Sequence, residues 1–291
     1  MKISTIGIIG CGTVAQGAAR AIAQSKLKVI LYDDREKWLA QAVEQVTQGL
    51  DKDIRRWGIT PGDKKAILKR IATTTRLTDL KAAQVVIEIR GRHFDEIRDQ
   101  FLKLEEICSD ETILLMNTTT ASVSELQKYL RRPKRMMGVH FLVPVSKSVV
   151  VEIIKGEKTS EETCGTVKIL IGTLGKRCFE VFEYPGYLTA RIILPMINTA
   201  ANVLMEGLAS AKEIDDAIHL GFNLSLGPLA MADQMGIDTV LDSLDGLFKH
   251  LGDPTYRACP LLRRMVREGK LGVKSGEGFH RYDSQYRRID L

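Results

Sequence analysis

The chain is poor in the features that would assign it to a membrane, a metal or a nucleic acid. Its 291 residues include no stretch long and apolar enough to span a bilayer. The first residues run straight into a strand pattern without a cleavable apolar segment, so a cytoplasmic protein with no membrane partner is expected. Five cysteines, Cys11, Cys108, Cys164, Cys178 and Cys259, are scattered and odd in number. They match no metal-ligand spacing, so no metal is expected, and they suit a reducing compartment. No clustered lysine and arginine stripe and no recognition module point to nucleic acid. Internal repeats and low-complexity linkers are absent. The formal charge of +6 is spread along the chain. It could favour an acidic partner such as a nucleotide, a phosphorylated thiol carrier or an acidic carrier protein, or simply serve solubility.

What is present begins at Ile6. A β-branched run ends at Ile9, Gly10-Cys11-Gly12 follows, an alanine-rich segment runs to Gln24, and Val29-Ile30-Leu31-Tyr32 leads into Asp33. This reads as strand, tight turn, helix and second strand closing on a carboxylate, the dinucleotide fingerprint. Gly10 permits the turn, and Gly12 lets the backbone approach a pyrophosphate at the N-terminus of the helix. Ala15 takes the third glycine position, where a small residue still allows close helix-to-sheet packing. Asp33 stands where a carboxylate takes the ribose hydroxyls, and its charge would meet a 2′-phosphate, so NAD is favoured over NADP.

Downstream, apolar positions at Leu39, Val43, Val46, Leu50 and Ile54 predict a helix over 35–57, and Thr60-Pro61 starts a second, short one. This helical pair could touch a long substrate or merely cover the sheet. Strands are predicted at 71–75, 83–89 and 112–116, with a helix over 94–107. The last of these strands ends at Asn117-Thr118-Thr119-Thr120, polar residues placed where open α/β sheets bind ligands, unless they serve only local backbone bonding and capping. His140 lies at the end of a strand over 136–141, and Glu152 sits alone inside the apolar run Val149–Ile154. A buried carboxylate is costly unless paired. Paired with Glu152, His140 could be oriented and its imidazolium stabilised for proton transfer from an alcohol; an exposed Glu152 beside an ordinary histidine is the plain alternative.

A helix over 159–174 and a strand over 177–182 complete the first half. At Tyr184-Pro185-Gly186 the composition changes, and beyond it nearly every segment has helical period: 188–207, 210–220, 228–235, 238–251 and 259–268. The broad apolar face of the first, with Ile192, Ile193, Met196, Ile197 and Ala200, suits docking on another domain or subunit. A helical domain joined to a nucleotide domain should create an interdomain cleft for substrate.

These segments resemble the short-chain 3-hydroxyacyl-CoA dehydrogenase family, which includes 3-hydroxybutyryl-CoA dehydrogenases. The resemblance covers nearly the whole chain. It rests on the opening fingerprint, Val86-Ile87-Glu88, Asn117-Thr118-Thr119-Thr120, His140-Phe141 with Pro144, and Val151-Glu152. The second half adds Pro185-Gly186-Tyr187, Leu220-Gly221, Gly227-Pro228-Leu229, Gly236-Ile237-Asp238-Thr239 and Lys274-Ser275-Gly276-Glu277-Gly278-Phe279. It implies an α/β fold with a Rossmann-type NAD-binding domain over 1–184 and an all-helical substrate and dimerisation domain over 185–291. It also implies a homodimer, an acyl-CoA substrate and a place in fatty acid metabolism. His140 is then the catalytic base, oriented by Glu152, and Thr119 stands at the family's active-site serine position, where its hydroxyl can bond the substrate oxygen. Gly10, Gly12, Ala15, Asp33 and Asn117 are the cofactor-side residues.

Several positions depart from the family pattern. Ala190 and Val143 stand where the family has asparagine, on the substrate side, and Arg92 replaces a glutamate near the nicotinamide, followed by His93 in place of asparagine. Alanine cannot replace an amide's hydrogen bonds. The run Arg90-Gly91-Arg92-His93 turns the local charge basic, and Arg90 or Arg92 could clamp a substrate carboxylate or phosphate, unless both face solvent or replace a lost salt bridge. Three readings follow. The first is NAD-linked interconversion of a 3-hydroxyacyl and a 3-oxoacyl thioester, on CoA or, as in polyketide-type biosynthesis, on an acyl carrier protein. The second is a dehydrogenase of a free hydroxy acid such as a sugar acid, and the third a cofactor-binding relative without efficient catalysis.

Overall fold

The computed structural model describes residues 2–91, 93–283 and 287–289. The chain divides into two units, Met1–Glu183 and Tyr184–Leu291, and each has its own apolar core.

In the first unit the elements are β1 (Thr5–Ile9), α1 (Thr13–Gln24), β2 (Lys28–Tyr32), α2 (Glu36–Arg55), α3 (Pro61–Leu68), β3 (Ile71–Thr74), β4 (Val85–Glu88) and α4 (Phe94–Ile107). They are followed by β5 (Ile113–Asn117), α5 (Val123–Gln127), β6 (Met136–Phe141), β7 (Val150–Ile154), α6 (Glu161–Thr173) and β8 (Arg177–Val181). The strands form one eight-stranded sheet in the order β3-β2-β1-β4-β5-β6-β7-β8. Strands β1 to β6 run parallel to their neighbours, β7 is antiparallel to β6, and β8 is parallel to β7. This is a Rossmann-like arrangement: the order reverses between β1 and β4, so the crevice outside their carboxyl ends is where ligands bind in such sheets.

Local chemistry explains the layers. Strand β4 and the first four residues of β5 are buried throughout, as expected of strands covered on both faces. Helix α1 presents Ala15, Ala18, Ala19 and Ile22 to the core, and those short side chains bring its backbone close to the sheet. Helix α2 turns Leu39, Ala42, Val46 and Leu50 inward, with Ala42 buried where Val43 was expected and Val43 left half-buried. Thr60 caps α3 in a reciprocal box: its hydroxyl accepts from Asp63 N–H at 3.1 Å, and Asp63 Oδ2 accepts from Thr60 N–H at 2.9 Å. Helix α5 and a 3-10 turn at Leu77–Ala82 were not anticipated from periodicity, being too short to show one.

The second unit is helical: α7 (Thr189–Met205), α8 (Ala211–Gly221), α9 (Pro228–Met235), α10 (Ile237–Leu251) and α11 (Pro260–Arg267). Its core joins Leu194, Ile197 and Ala201 of α7 to Val240 and Leu244 of α10 and Leu262 of α11. Asn198, buried in α7, ties this helix to the loop before α11 by donating to the Arg257 carbonyl at 2.9 Å and accepting from Cys259 N–H at 2.8 Å. Among the described residues no helix is long and apolar enough to cross a membrane.

Candidate functional site

The carboxyl ends of β2, β1, β4, β5 and β6 lie side by side, and the candidate residues of the first unit are strung along that edge. Four strand intervals separate β2 from β6, about 19 Å at the usual spacing.

At β1 the chain turns through Gly10, whose φ of +114° suits only glycine; a Cβ there would also sit 3.2 Å from the Arg90 backbone nitrogen. Gly12 is the N-cap of α1 and supplies no capping side chain, and the first turn of that helix carries no acid. A Cβ on Gly12 would meet nothing within 4 Å. The protein itself therefore leaves both the space and the orphan N–H groups of the helix open, which is the fit a dinucleotide pyrophosphate requires. Ala15 is buried in the first turn, against the sheet.

Asp33, just beyond β2, is fully buried. Its Oδ1 accepts from Arg35 Nε at 2.8 Å and its Oδ2 from the Arg35 Nη2 at 3.1 Å. Burial opposes ionisation of this carboxyl, but the hydrogen bonds and charge of Arg35 outweigh it and hold Asp33 below the usual carboxylate range. Beside it, burial first and then Asp33 push the Cys11 thiol up to about 12, so it stays protonated. Arg90 extends along this same end of the site. Its guanidinium pairs with Asp34 at 3.1 Å, donates to Gln100 Oε1 at 3.2 Å and lies 5.9 Å from the Tyr32 ring. Tyr32 and Asp34 belong to the β2 end and Gln100 to α4, so Arg90 makes an ion pair within the protein, the salt-bridge alternative to a substrate clamp. Arg92, expected near the nicotinamide, lies outside the described residues.

At the other end, β5 and β6 carry the polar groups. Asn117 closes β5, and its Oδ1 accepts from Phe141 N–H at 3.1 Å, fixing the backbone beside His140. The threonine run divides its duties. Thr118 Oγ1 accepts from Thr120 N–H at 3.2 Å and Ala121 N–H at 2.9 Å, closing a turn, whereas the half-buried Thr119 hydroxyl bonds to no other described residue.

His140 and Glu152 oppose each other directly in the antiparallel β6–β7 register. Their side chains share one face, and His140 Nδ1 lies 2.7 Å from Glu152 Oε2. Glu152 is fully buried, while the His140 side chain keeps 14% of its surface exposed. A carboxylate so placed can accept from the Nδ1–H tautomer and orient the ring, an arrangement suited to proton transfer at the other ring nitrogen. The loop between the two strands contains Val143, half-buried and preceding a cis-proline, Pro144. Ala190 lies in the second unit, at the start of α7, packed in the helical core.

Three charged groups of this region escaped the sequence reading as site residues. Glu88, at the end of β4, is 1% exposed; Oε1 accepts from Arg90 N–H at 2.9 Å and Gly91 N–H at 2.7 Å, while Oε2 has no partner among the described residues. Burial pushes its carboxyl up to about 7. The signal was available, since a lone acid ending an apolar strand is the same pattern that singled out Glu152. Lys176 is buried at the edge of β8 and donates to the Val145 carbonyl at 2.7 Å and to that of Ser148, bracing the β6–β7 loop. Arg35 is the third.

Residues 5–184 match the family model described as 3-hydroxyacyl-CoA dehydrogenase, NAD binding domain, and residues 186–282 match its C-terminal domain. A probable 3-hydroxybutyryl-CoA dehydrogenase of Bacillus subtilis is 36% identical over 285 residues, 98% of this chain and 99% of the relative. A 3-hydroxybutyryl-CoA dehydrogenase of Clostridioides difficile is 35% identical over 278 residues, 96% of this chain and 99% of the relative. Among solved structures, that of (S)-3-hydroxybutyryl-CoA dehydrogenase from Ralstonia eutropha superposes with a TM-score of 0.82 at 38% identity, covering 97% of this chain and all of that one.

Proposed function

The chain belongs to the 3-hydroxyacyl-CoA dehydrogenase family, and from that premise we propose that it interconverts a 3-hydroxyacyl thioester and the 3-oxoacyl thioester, with a proton handled by His140 and Glu152. The observation that carries this reading is the 2.7 Å contact between His140 Nδ1 and Glu152 Oε2, on the strand edge that also bears the glycine turn.

A nicotinamide dinucleotide, NAD in this reading, supplies the hydride acceptor when bound. Gly10, Gly12 and Ala15 form the turn and helix start that receive its pyrophosphate, and Asp33 serves the ribose at the β2 end. In the oxidative direction His140 Nε2 takes the proton of the substrate hydroxyl as hydride leaves the same carbon. The imidazolium so formed is stabilised by the Glu152 carboxylate, and in the reverse direction the proton returns. The Thr119 hydroxyl, uncommitted to other described residues, donates to the substrate oxygen. Asn117 holds the strand end through its bond to Phe141 N–H, which keeps the imidazole at a fixed height along the edge.

The test is NADH formation by the purified protein across a panel of 3-hydroxyacyl-CoA substrates, with carrier-protein thioesters and free hydroxy acids in parallel. Turnover of at least one thioester is expected, with CoA esters favoured by the family relationship. A panel that yields NADH only from free acids, or from nothing despite measurable NADH binding, would remove the thioester assignment.

A further inference from the structure

The end of β2 carries more charge than a ribose requires. Arg35 engages the buried Asp33 through three donors: its main-chain N–H at 3.2 Å and Nε at 2.8 Å on Oδ1, and Nη2 at 3.1 Å on Oδ2. The guanidinium also lies 4.6 Å from the Trp38 ring, and its side chain is half exposed. Alongside, Asp34 pairs with Arg90 at 3.1 Å and lies 3.6 Å from Arg35 Nε. Two carboxylates and two guanidiniums thus share the strand end, and their formal charges cancel.

This changes what Asp33 can do. A carboxylate at this place repels a 2′-phosphate only while its charge is uncompensated, and here a two-pronged cation compensates it. The same cation competes with ribose hydroxyls for Asp33, because it takes a lone pair on each carboxylate oxygen, although Oδ2, with one donor, can still accept from a hydroxyl. Arg35 Nη1 bonds no other described residue, and guanidinium geometry suits a phosphate. Arg35 can therefore hold Asp33 with one edge and a 2′-phosphate with the other.

Resting on the reading above that the chain binds a nicotinamide dinucleotide, we propose that Arg35 sets the cofactor preference: it screens Asp33 and pairs with a 2′-phosphate, so that the protein accepts NADPH as well as NADH. Trp38 fixes the guanidinium from one side, and Arg90 neutralises the second acid, Asp34.

The experiment is a fluorescence titration of the full chain with NADH and with NADPH, repeated for Arg35→Leu and Arg35→Lys. In the unsubstituted protein the two dissociation constants should agree to within about tenfold. Arg35→Leu should weaken NADPH by about 10- to 100-fold, the equivalent of one or two charge-assisted bonds, while NADH binding stays level or tightens. Arg35→Lys, which keeps the charge and loses the fork, should fall between, and it supplies the comparison if the leucine variant fails to fold. The proposal is overturned if the unsubstituted protein binds NADPH more than about tenfold more weakly than NADH, if both nucleotides weaken equally on substitution, or if neither responds. Absence of binding by either nucleotide to the unsubstituted protein is a separate result, which would strike the underlying dinucleotide reading and this proposal with it.

Discussion

An imidazole that changes charge during turnover needs a fixed partner for its second nitrogen, and Glu152 Oε2 provides one for His140 at 2.7 Å. Replacing His140 with glutamine keeps a polar group of similar size and removes the proton acceptor. Turnover should fall by about 10²- to 10⁴-fold, with the NADH dissociation constant nearly unchanged, as read by steady-state rates beside a binding titration. Glu88 makes a second demand at this scale, because burial pushes its carboxyl from the ordinary 4.5 to about 7. The unfolded chain releases this proton first, so between those values the folded protein holds more protons than the unfolded one. Stability must therefore decline as pH rises from about 4.5 to about 7 and level off above, by roughly 3 kcal/mol at most for this group. Glu88→Gln, a close mimic of the protonated acid, should match the unsubstituted protein near pH 5 and exceed it near pH 8. Thermal melting of the cofactor-free protein across that range is the check, and parallel curves for the two proteins would contradict it.

Among the elements, the connection from β6 to β7 is the part of the site with least regular structure and most bracing. Pro144 O accepts from the N–H groups of Lys147 and Ser148, both at 2.9 Å, and Lys176, just before β8, satisfies the carbonyls of Val145 and Ser148. Desolvation lowers the Lys176 ammonium below its ordinary value, the cost of holding a cation away from water. Lys176→Met leaves those two carbonyls without their donor and should destabilise the protein by about 1–3 kcal/mol in chemical denaturation, with faster amide exchange around 145–149. The same loop packs on α1. A Cβ on Gly17 would lie 2.7 Å from Val145 Cβ, so Gly17→Ala forces the phosphate-side helix and the loop apart. Overpacking of this kind costs about 1–3 kcal/mol, and a variant as stable as the original would show that the loop yields freely.

For the molecule as a whole, each unit builds its own core, and the helical unit leaves large apolar groups in water. Leu208, Leu220 and Phe222 are each more than 70% exposed in the isolated chain, and Ile192 is 62% exposed. A unit bearing such a surface is most simply covered by a second copy of itself, which is also what the family resemblance implies. Light scattering at micromolar concentration should return a dimer, and Leu220→Glu should shift it toward monomer; a monomeric unsubstituted protein would exclude this arrangement.

The linear order of residues was enough for the layers of the fold, because hydrophobic period and glycine placement are local properties. The run from Ile6 to Asp33 announced strand, turn, helix and strand, and the helical second half could be read from spacing alone. It was enough to single out His140 and Glu152, since a lone acid in an apolar strand requires a partner. Only the folded chain decided which side chains meet across strands. Arg90 turns to Asp34 at the β2 end, Arg35 closes over Asp33, and Lys176 reaches a loop about thirty residues earlier. Those pairings depend on strand order and on long side chains choosing among several neighbours of opposite charge, and neither is encoded in the spacing of residues along the chain.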